Sequence, residues 1–174
     1  MNEILDYGKK LEEQDILKLE EKIKFSLPLE YKLFLLKYNG GYPKKDFFTF
    51  FNKISKKIDG SGIDRFHGID VNKYDNFNYY LDVYKNRIPQ GFLPIAHDAG
   101  GGLIILGLYG EYNNNIYFWD RDYEVEDGEV PYMENIYMIW EGFENFINGL
   151  NYNYEDLELI SCRPIYSANE TPLK

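Results

Sequence analysis

Cysteine occurs once in 174 residues, at Cys162. No disulfide can form within the chain, and a reducing compartment is expected. Histidine occurs twice, at His67 and His97. Alanine is confined to positions 96, 99 and 168. Long apolar runs are missing: none approaches the roughly 18 residues a membrane span needs. Residues 1–10 hold no apolar core of a secretory signal, so the expected location is cytoplasmic. What abounds is aromatic: 17 Tyr, 12 Phe and 2 Trp make up 18% of the chain. Lys, Asn and Ile are frequent as well, a bias that AT-rich coding produces, so the aromatic excess is not functional by itself. With 44% hydrophobic residues, the composition is that of a folded chain. Its length suits one domain, expected over 1–174.

Basic side chains are unevenly placed. The net charge is −10, yet residues 1–110 carry 16 basic against 15 acidic groups. Residues 111–158 carry 13 acidic groups and one basic group, Arg121. Such a surface repels phosphate backbones, which argues against nucleic acid as a partner. It attracts a basic protein and speeds the encounter.

Ile16, Leu19 and Ile23 recur at helical spacing behind Asp15, an N-cap residue, and predict a helix over 15–24. Pro28 suits the first turn of a second helix over 28–38. Tyr31, Phe34, Leu35 and Tyr38 stripe one of its faces, and Leu29, Leu33 and Leu36 another, so both faces are expected to be buried. Asn39-Gly40-Gly41 ends it. Phe47–Phe51 reads as a strand, Lys53–Gly62 as a loop or hairpin tip, and Ile63–Ile69 as a further strand. Phe77, Tyr80, Leu81 and Tyr84 predict a helix over 76–85. Apolar runs at 92–96, 103–108 and 116–120 are separated by His97–Gly102 and Gly110–Asn115, which predicts an antiparallel meander. Pro94 within the first run calls for an edge position or a bulge. Phe118 and Trp119 point to opposite faces of their strand, so one of them is expected to be less buried. Ile136–Trp140 is a short strand candidate. Phe143, Phe146, Ile147 and Leu150 stripe a closing helix over 142–150. Beyond 151 the period weakens, and that tail is expected to dock. The expected fold class is α+β: a mostly antiparallel central sheet with helices packed around it.

Cys162 with His67 or His97 supplies the residue types of a nucleophile and base, but Cys162 stands before Arg163-Pro164 in no nucleophile setting. It is not expected to converge with His67 and His97, which lie in separate segments. His97-Asp98 is one pair, and a zinc site needs about four ligands; Asp98 is expected to cap its own turn. The acids from Asp120 onward fail the calcium-loop pattern, which places Gly and Glu where Val125 and Pro131 stand. Gly100-Gly101-Gly102 lacks the Lys-Ser/Thr of a phosphate loop. The lysines and aromatics of 42–58 read as a solvated basic loop in preference to a single-strand platform. The expectation is no enzyme, no cofactor and no metal.

Several of these pieces, taken in order, resemble the SUKH superfamily. They are the first helix, then Leu27-Pro28-Leu29-Glu30-Tyr31 with Asn39-Gly40-Gly41. Phe92-Leu93-Pro94-Ile95-Ala96 follows, then the Gly101-Gly102 turn, Ile104–Leu108, Tyr117-Phe118-Trp119-Asp120 and the helix with Phe143, Phe146 and Leu150. The likeness covers roughly residues 14–150. The closing helix commonly begins at a Ser or Asp cap, where Gly142 stands here. Segments 44–62 and 151–174 match no part of the pattern. That superfamily takes in fungal Smi/Knr-type cell-wall assembly regulators and many bacterial toxin-immunity proteins. The resemblance implies a binding protein that neutralises a cognate toxin, many such toxins being nucleases. The alternative is a regulatory or scaffolding protein with no toxin partner.

The expected partner surface is the acidic loop. Asp120, Asp122, Glu124, Glu126, Asp127, Glu129 and Glu134 gather there against Arg121 alone, with Tyr123 and Tyr132 as aromatic anchors. Self-repulsion of that density gives a fold no reason of its own to collect it, and a basic partner would relieve it.

Overall fold

The computed structural model describes residues 2–126 and 128–152. In chain order the elements are β1 (Ile4–Leu5), α1 (Glu13–Ile23), α2 (Leu29–Tyr38), β2 (Tyr42–Pro43), β3 (Phe47–Asn52), β4 (Lys57–Phe66), α3 (Phe77–Val83), β5 (Phe92–Asp98), β6 (Leu103–Gly107), β7 (Asn115–Trp119), β8 (Ile136–Glu141) and α4 (Phe143–Gly149). β3 to β8 form one six-stranded sheet in sequence order, every neighbour antiparallel. β1 and β2 make a separate two-stranded ribbon. This is the expected α+β architecture. Among the described residues no helix is long and apolar enough to cross a membrane.

The helices start and stop for local reasons. α1 begins two residues before the expected Asp15. Asp15 sits inside the first turn, where its carboxylate accepts from the Glu12 N–H at 3.1 Å. α2 ends as Asn39 takes the left-handed conformation and Gly40 follows with φ +85. A Cβ on Gly40 would lie 2.7 Å from the Phe66 carbonyl oxygen. The Asn39 amide donates to the Lys9 and Ile69 carbonyls, both at 3.0 Å. The Asn76 side chain accepts from Asn78 N–H at 2.9 Å and caps α3. α4 begins at Gly142, with φ +80, and its missing side-chain cap comes from elsewhere: Glu30 of α2 accepts from the Glu144 N–H at 2.9 Å. A carboxylate from a distant helix thus replaces the local Ser or Asp.

The sheet is covered on both faces. Phe48, Phe50, Ile104, Leu106, Phe118 and Tyr137 face the main core, with α2 and α4. Leu103, Ile105, Tyr117, Trp119 and Ile136 face a smaller core with Tyr80 of α3 and Tyr84 just past its end. Phe118 and Trp119 are therefore both buried, against the expectation that one would be less so. The register shifts within three of the strand pairings, at Ile63/Arg65, Pro94/Ala96 and Ile116/Tyr117. Such bulges raise the local twist and curl the sheet. Phe50 of the first strand consequently stacks on Tyr137 of the last, centroids 5.0 Å apart. Pro94 is accommodated by its bulge, since β5 is interior and not an edge.

Three further expectations are corrected. Residues 57–62 belong to strand β4 although Gly60 and Gly62 read as loop. The Phe47 ring lies over Gly60, where a Cβ would meet its Cζ at 2.5 Å, so a cross-strand aromatic replaces the missing side chain. Strand structure then stops at Phe66 and does not reach Ile69. Leu29 and Leu33, assigned to a buried stripe of α2, are 70% and 57% exposed. The expectation that the tail beyond 151 docks falls largely on 153–174, outside the described residues.

Candidate functional site

The acidic loop leaves the sheet at the end of β7 and returns at β8, and its base is closed by a reciprocal pair. Asp120 N–H donates to the Asn135 carbonyl at 2.9 Å, and the Asn135 amide donates to the Asp120 carbonyl at 3.0 Å. The Asp120 carboxylate accepts from Asp122 N–H at 3.0 Å and caps the single helical turn Arg121–Tyr123. Burial pushes the Asp120 carboxyl up from its ordinary range, and the nearby Asp122, Asp59 and Asp98 add to this. Tyr132 spans the loop and donates its hydroxyl to the Tyr123 carbonyl.

Glu124 faces inward. Arg87, just past α3, donates from Nη2 to its carboxylate at 2.7 Å and from Nε as well. The guanidinium also lies 4.5 Å over the Tyr84 ring. No local sequence signal marks this pair, whose members stand 37 residues apart. Arg121, the loop's basic residue, lies across the Gly101 turn, where a Cβ would sit 2.8 Å from its Nη1. Asp122, Tyr123, Glu126, Glu129, Tyr132 and Glu134 remain at the surface, together with Val130. Asp127 lies outside the described residues.

His67 and His97 meet, although they come from separate segments. β4 and β5 pair Arg65 with His97 and Phe66 with Ala96. His67 Nε2 then lies 3.1 Å from His97 Nδ1. His67 Nδ1 lies 3.0 Å from the Pro94 carbonyl, and the Tyr80 hydroxyl lies 2.9 Å from His97 Nδ1. His97 Nε2 faces Asp64 at 3.4 Å. The Pro94 carbonyl can only accept, so His67 donates from Nδ1 and its Nε2 carries a lone pair. In the neutral ring His97 Nδ1 serves one of two bonds: it donates to His67 Nε2, or it accepts from the Tyr80 hydroxyl with the ring proton on Nε2 toward Asp64. A second proton on that ring would serve both sides at once, and burial opposes it. Burial holds His67 well below its ordinary value and His97 below its own, despite the opposing pull of Asp64 and Asp75 on His97. Tyr80 stacks on the His67 ring at 3.6 Å, so the chain ties α3 to the sheet.

This arrangement ties β4, β5 and α3 together. A cleft of about 340 Å³ nearby is lined by Asp46, Ser61, Asp64 and Gly100, with neither imidazole in its wall. Among the described residues no three His, Cys, Asp or Glu side chains gather as a metal ion requires. Cys162 lies outside the described residues. Asp98 plays the expected capping role, accepting from Gly102 N–H at 2.7 Å and from the Ser61 hydroxyl at 2.7 Å.

Against known proteins, the sequence profile of the SMI1 / KNR4 family (SUKH-1) matches residues 10–149. The chain is also similar to the SPbeta prophage-derived uncharacterized protein YokK of Bacillus subtilis (strain 168). The two are 28% identical over 150 residues, covering 79% of this chain and 73% of YokK.

Proposed function

Because the chain belongs to the SMI1 / KNR4 family (SUKH-1), we propose that it is an immunity protein that binds and neutralises a cognate protein toxin. It acts in the cytoplasm, where a chain with a single cysteine needs no oxidising help. The observation that carries the reading is the loop after β7. Its base is hydrogen-bonded shut, yet Asp122, Glu126, Glu129 and Glu134 stand in solvent beside the exposed Tyr123 and Tyr132. A pinned loop loses little entropy on binding. Its charges steer a basic partner while the aromatic rings supply contact. A nuclease toxin, whose cleft must attract phosphates, has the complementary surface, and carboxylates docked there would exclude the substrate.

The test is co-expression with candidate toxin domains encoded in the same genome. Wild type should restore growth, and Asp122→Lys, Glu126→Lys and Glu129→Lys together should abolish protection with an unchanged melting temperature. Glu124 is left intact, because its reversal would break the internal pair with Arg87. Protection that survives the triple reversal at physiological salt would move the interface off the loop. A chain that binds no such toxin would be a regulatory or scaffolding member instead.

A further inference from the structure

The β3–β4 hairpin lies beside the acidic loop and presents the opposite charge. Phe50 of β3 stacks on Tyr137 of β8, centroids 5.0 Å apart, just past the point where the loop re-enters the sheet. Lys53, at the start of the turn, donates from Nζ to the Ile136 carbonyl at 3.3 Å, where the loop re-enters the sheet. Hairpin and loop are therefore contiguous. The turn itself is held rigid from beneath. Asn52 is buried, and its side-chain oxygen accepts from the Ile54 and Ser55 N–H groups, both at 3.0 Å.

On this rigid support the hairpin exposes what a sheet normally hides. Phe51 and Ile58 are directly paired across the strands, 43% and 60% exposed, and Ile54 at the tip is 45% exposed. Lys56 and Lys57 flank them in solvent. Lysines alone are a common protection for an edge hairpin. That accounts for the charges and not for an apolar rung set among them. Fixed aromatic and aliphatic side chains ringed by charge have the anatomy of a binding centre. The surface is then bipolar: cations at 53–57, carboxylates at 122–134, and an apolar rung on the hairpin.

We propose, on the footing of the toxin-binding reading, that this hairpin is the second half of the interface and that its occupant is a toxin surface of matching polarity. That surface presents basic groups to the loop, acidic groups to Lys56 and Lys57, and an apolar recess to Phe51 and Ile58. A uniformly basic partner would be repelled by the hairpin. A bipolar one is oriented by it, since like charges fall opposite each other in every other register.

The experiment measures binding of the purified toxin domain against which the protein protects, by surface plasmon resonance, to wild type, the loop triple variant and three double variants. Phe51→Ser/Ile58→Ser should weaken binding by about tenfold or more, as loss of an interface centre does. Leu29→Ser/Leu33→Ser, an equally exposed apolar pair on α2, should stay within about twofold of wild type. Lys56→Glu/Lys57→Glu should slow association. Circular dichroism confirms that each variant keeps the fold. If the Phe51/Ile58 variant binds as wild type does while the loop triple variant fails, the hairpin is outside the interface and the toxin reading stands. Tighter binding by the Lys56/Lys57 variant would show a uniformly basic partner and overturn the bipolar surface. Sedimentation showing a dimer that Phe51→Ser/Ile58→Ser dissolves would give the patch to a second copy and overturn the proposal. If wild type itself binds no toxin, the toxin reading fails and the hairpin proposal falls with it.

Discussion

His67 Nε2 lies 3.1 Å from His97 Nδ1, and this contact makes the two imidazoles one proton-counting unit. Both are held below the ordinary value, near 6.5, first by burial. The unfolded chain therefore takes up protons before the folded one. The stability contributed by the neutral pair is fully present above about pH 6.5 and is lost as pH falls below it toward the depressed folded values. Thermal melts between pH 7.5 and 5.5 should show a falling midpoint in wild type. The slope should shrink in His97→Gln, which keeps a polar side chain in place without a titrating ring. Equal slopes would show that other groups carry the acid sensitivity.

Glu124 turns inward to Arg87, and this pair separates stability from recognition. Glu124→Gln removes the charge that faces a guanidinium lying over Tyr84 and near Trp119. The pair is partly shielded, with side chains 18% and 31% exposed, so the expected loss is about 1–2 kcal/mol, more than a fully exposed pair and less than a buried one. Urea titration measures it. Association with the toxin domain should change far less than after reversal of Glu126 or Glu129, which face solvent.

Which parts were legible in the sequence follows from the range of the forces involved. The meander of β5, β6 and β7 was readable because its apolar runs and Gly-rich turns are local. The end of α2 was readable for the same reason, through Asn39-Gly40-Gly41. Residues 57–62 were misread because Gly60 depends on the Phe47 ring, a partner across the hairpin. Burial of both Phe118 and Trp119 was hidden because it depends on α3 crossing the second face. The exposure of Leu29 and Leu33 was hidden too, since helical spacing does not say which stripe finds a neighbour. At the site, the chain pattern marked 120–134 as a loop. The inward turn of Glu124 and the meeting of His67 with His97 were set by partners 37 and 30 residues away.

The cap of α4 gives a test of cooperation between helices. Glu30→Gln should weaken, and Glu30→Ala remove, the hydrogen bond from Glu144 N–H, with a loss of about 1 kcal/mol for the alanine. Gly142→Ala places a Cβ on a backbone with φ +80 and ψ 135, a region that only glycine enters freely. Its expected loss is about 1–3 kcal/mol. Chemical denaturation of both variants checks the pair. Additive losses would show that cap and backbone act separately, and a sub-additive sum would show that Glu30 holds the helix only when Gly142 sets its entry angle.

Tyr137 closes the curled sheet by stacking on Phe50 while its hydroxyl is buried. Among the described residues that hydroxyl has no hydrogen-bond partner, and burial first, then the nearby Asp120, pushes it up to about 12. Burying a hydroxyl without a partner is unfavourable, whereas the ring's stacking on Phe50 is favourable. The two effects can be pulled apart at one position. Tyr137→Phe keeps the ring and removes the oxygen, so stability should hold or rise by up to about 1 kcal/mol. Tyr137→Ala removes the ring as well and should cost about 3–5 kcal/mol, since a core aromatic leaves a cavity behind. Urea unfolding reads both. A loss above about 1 kcal/mol in Tyr137→Phe would mean that the hydroxyl is bonded after all and that the closure of β3 onto β8 is held by polarity as well as by packing.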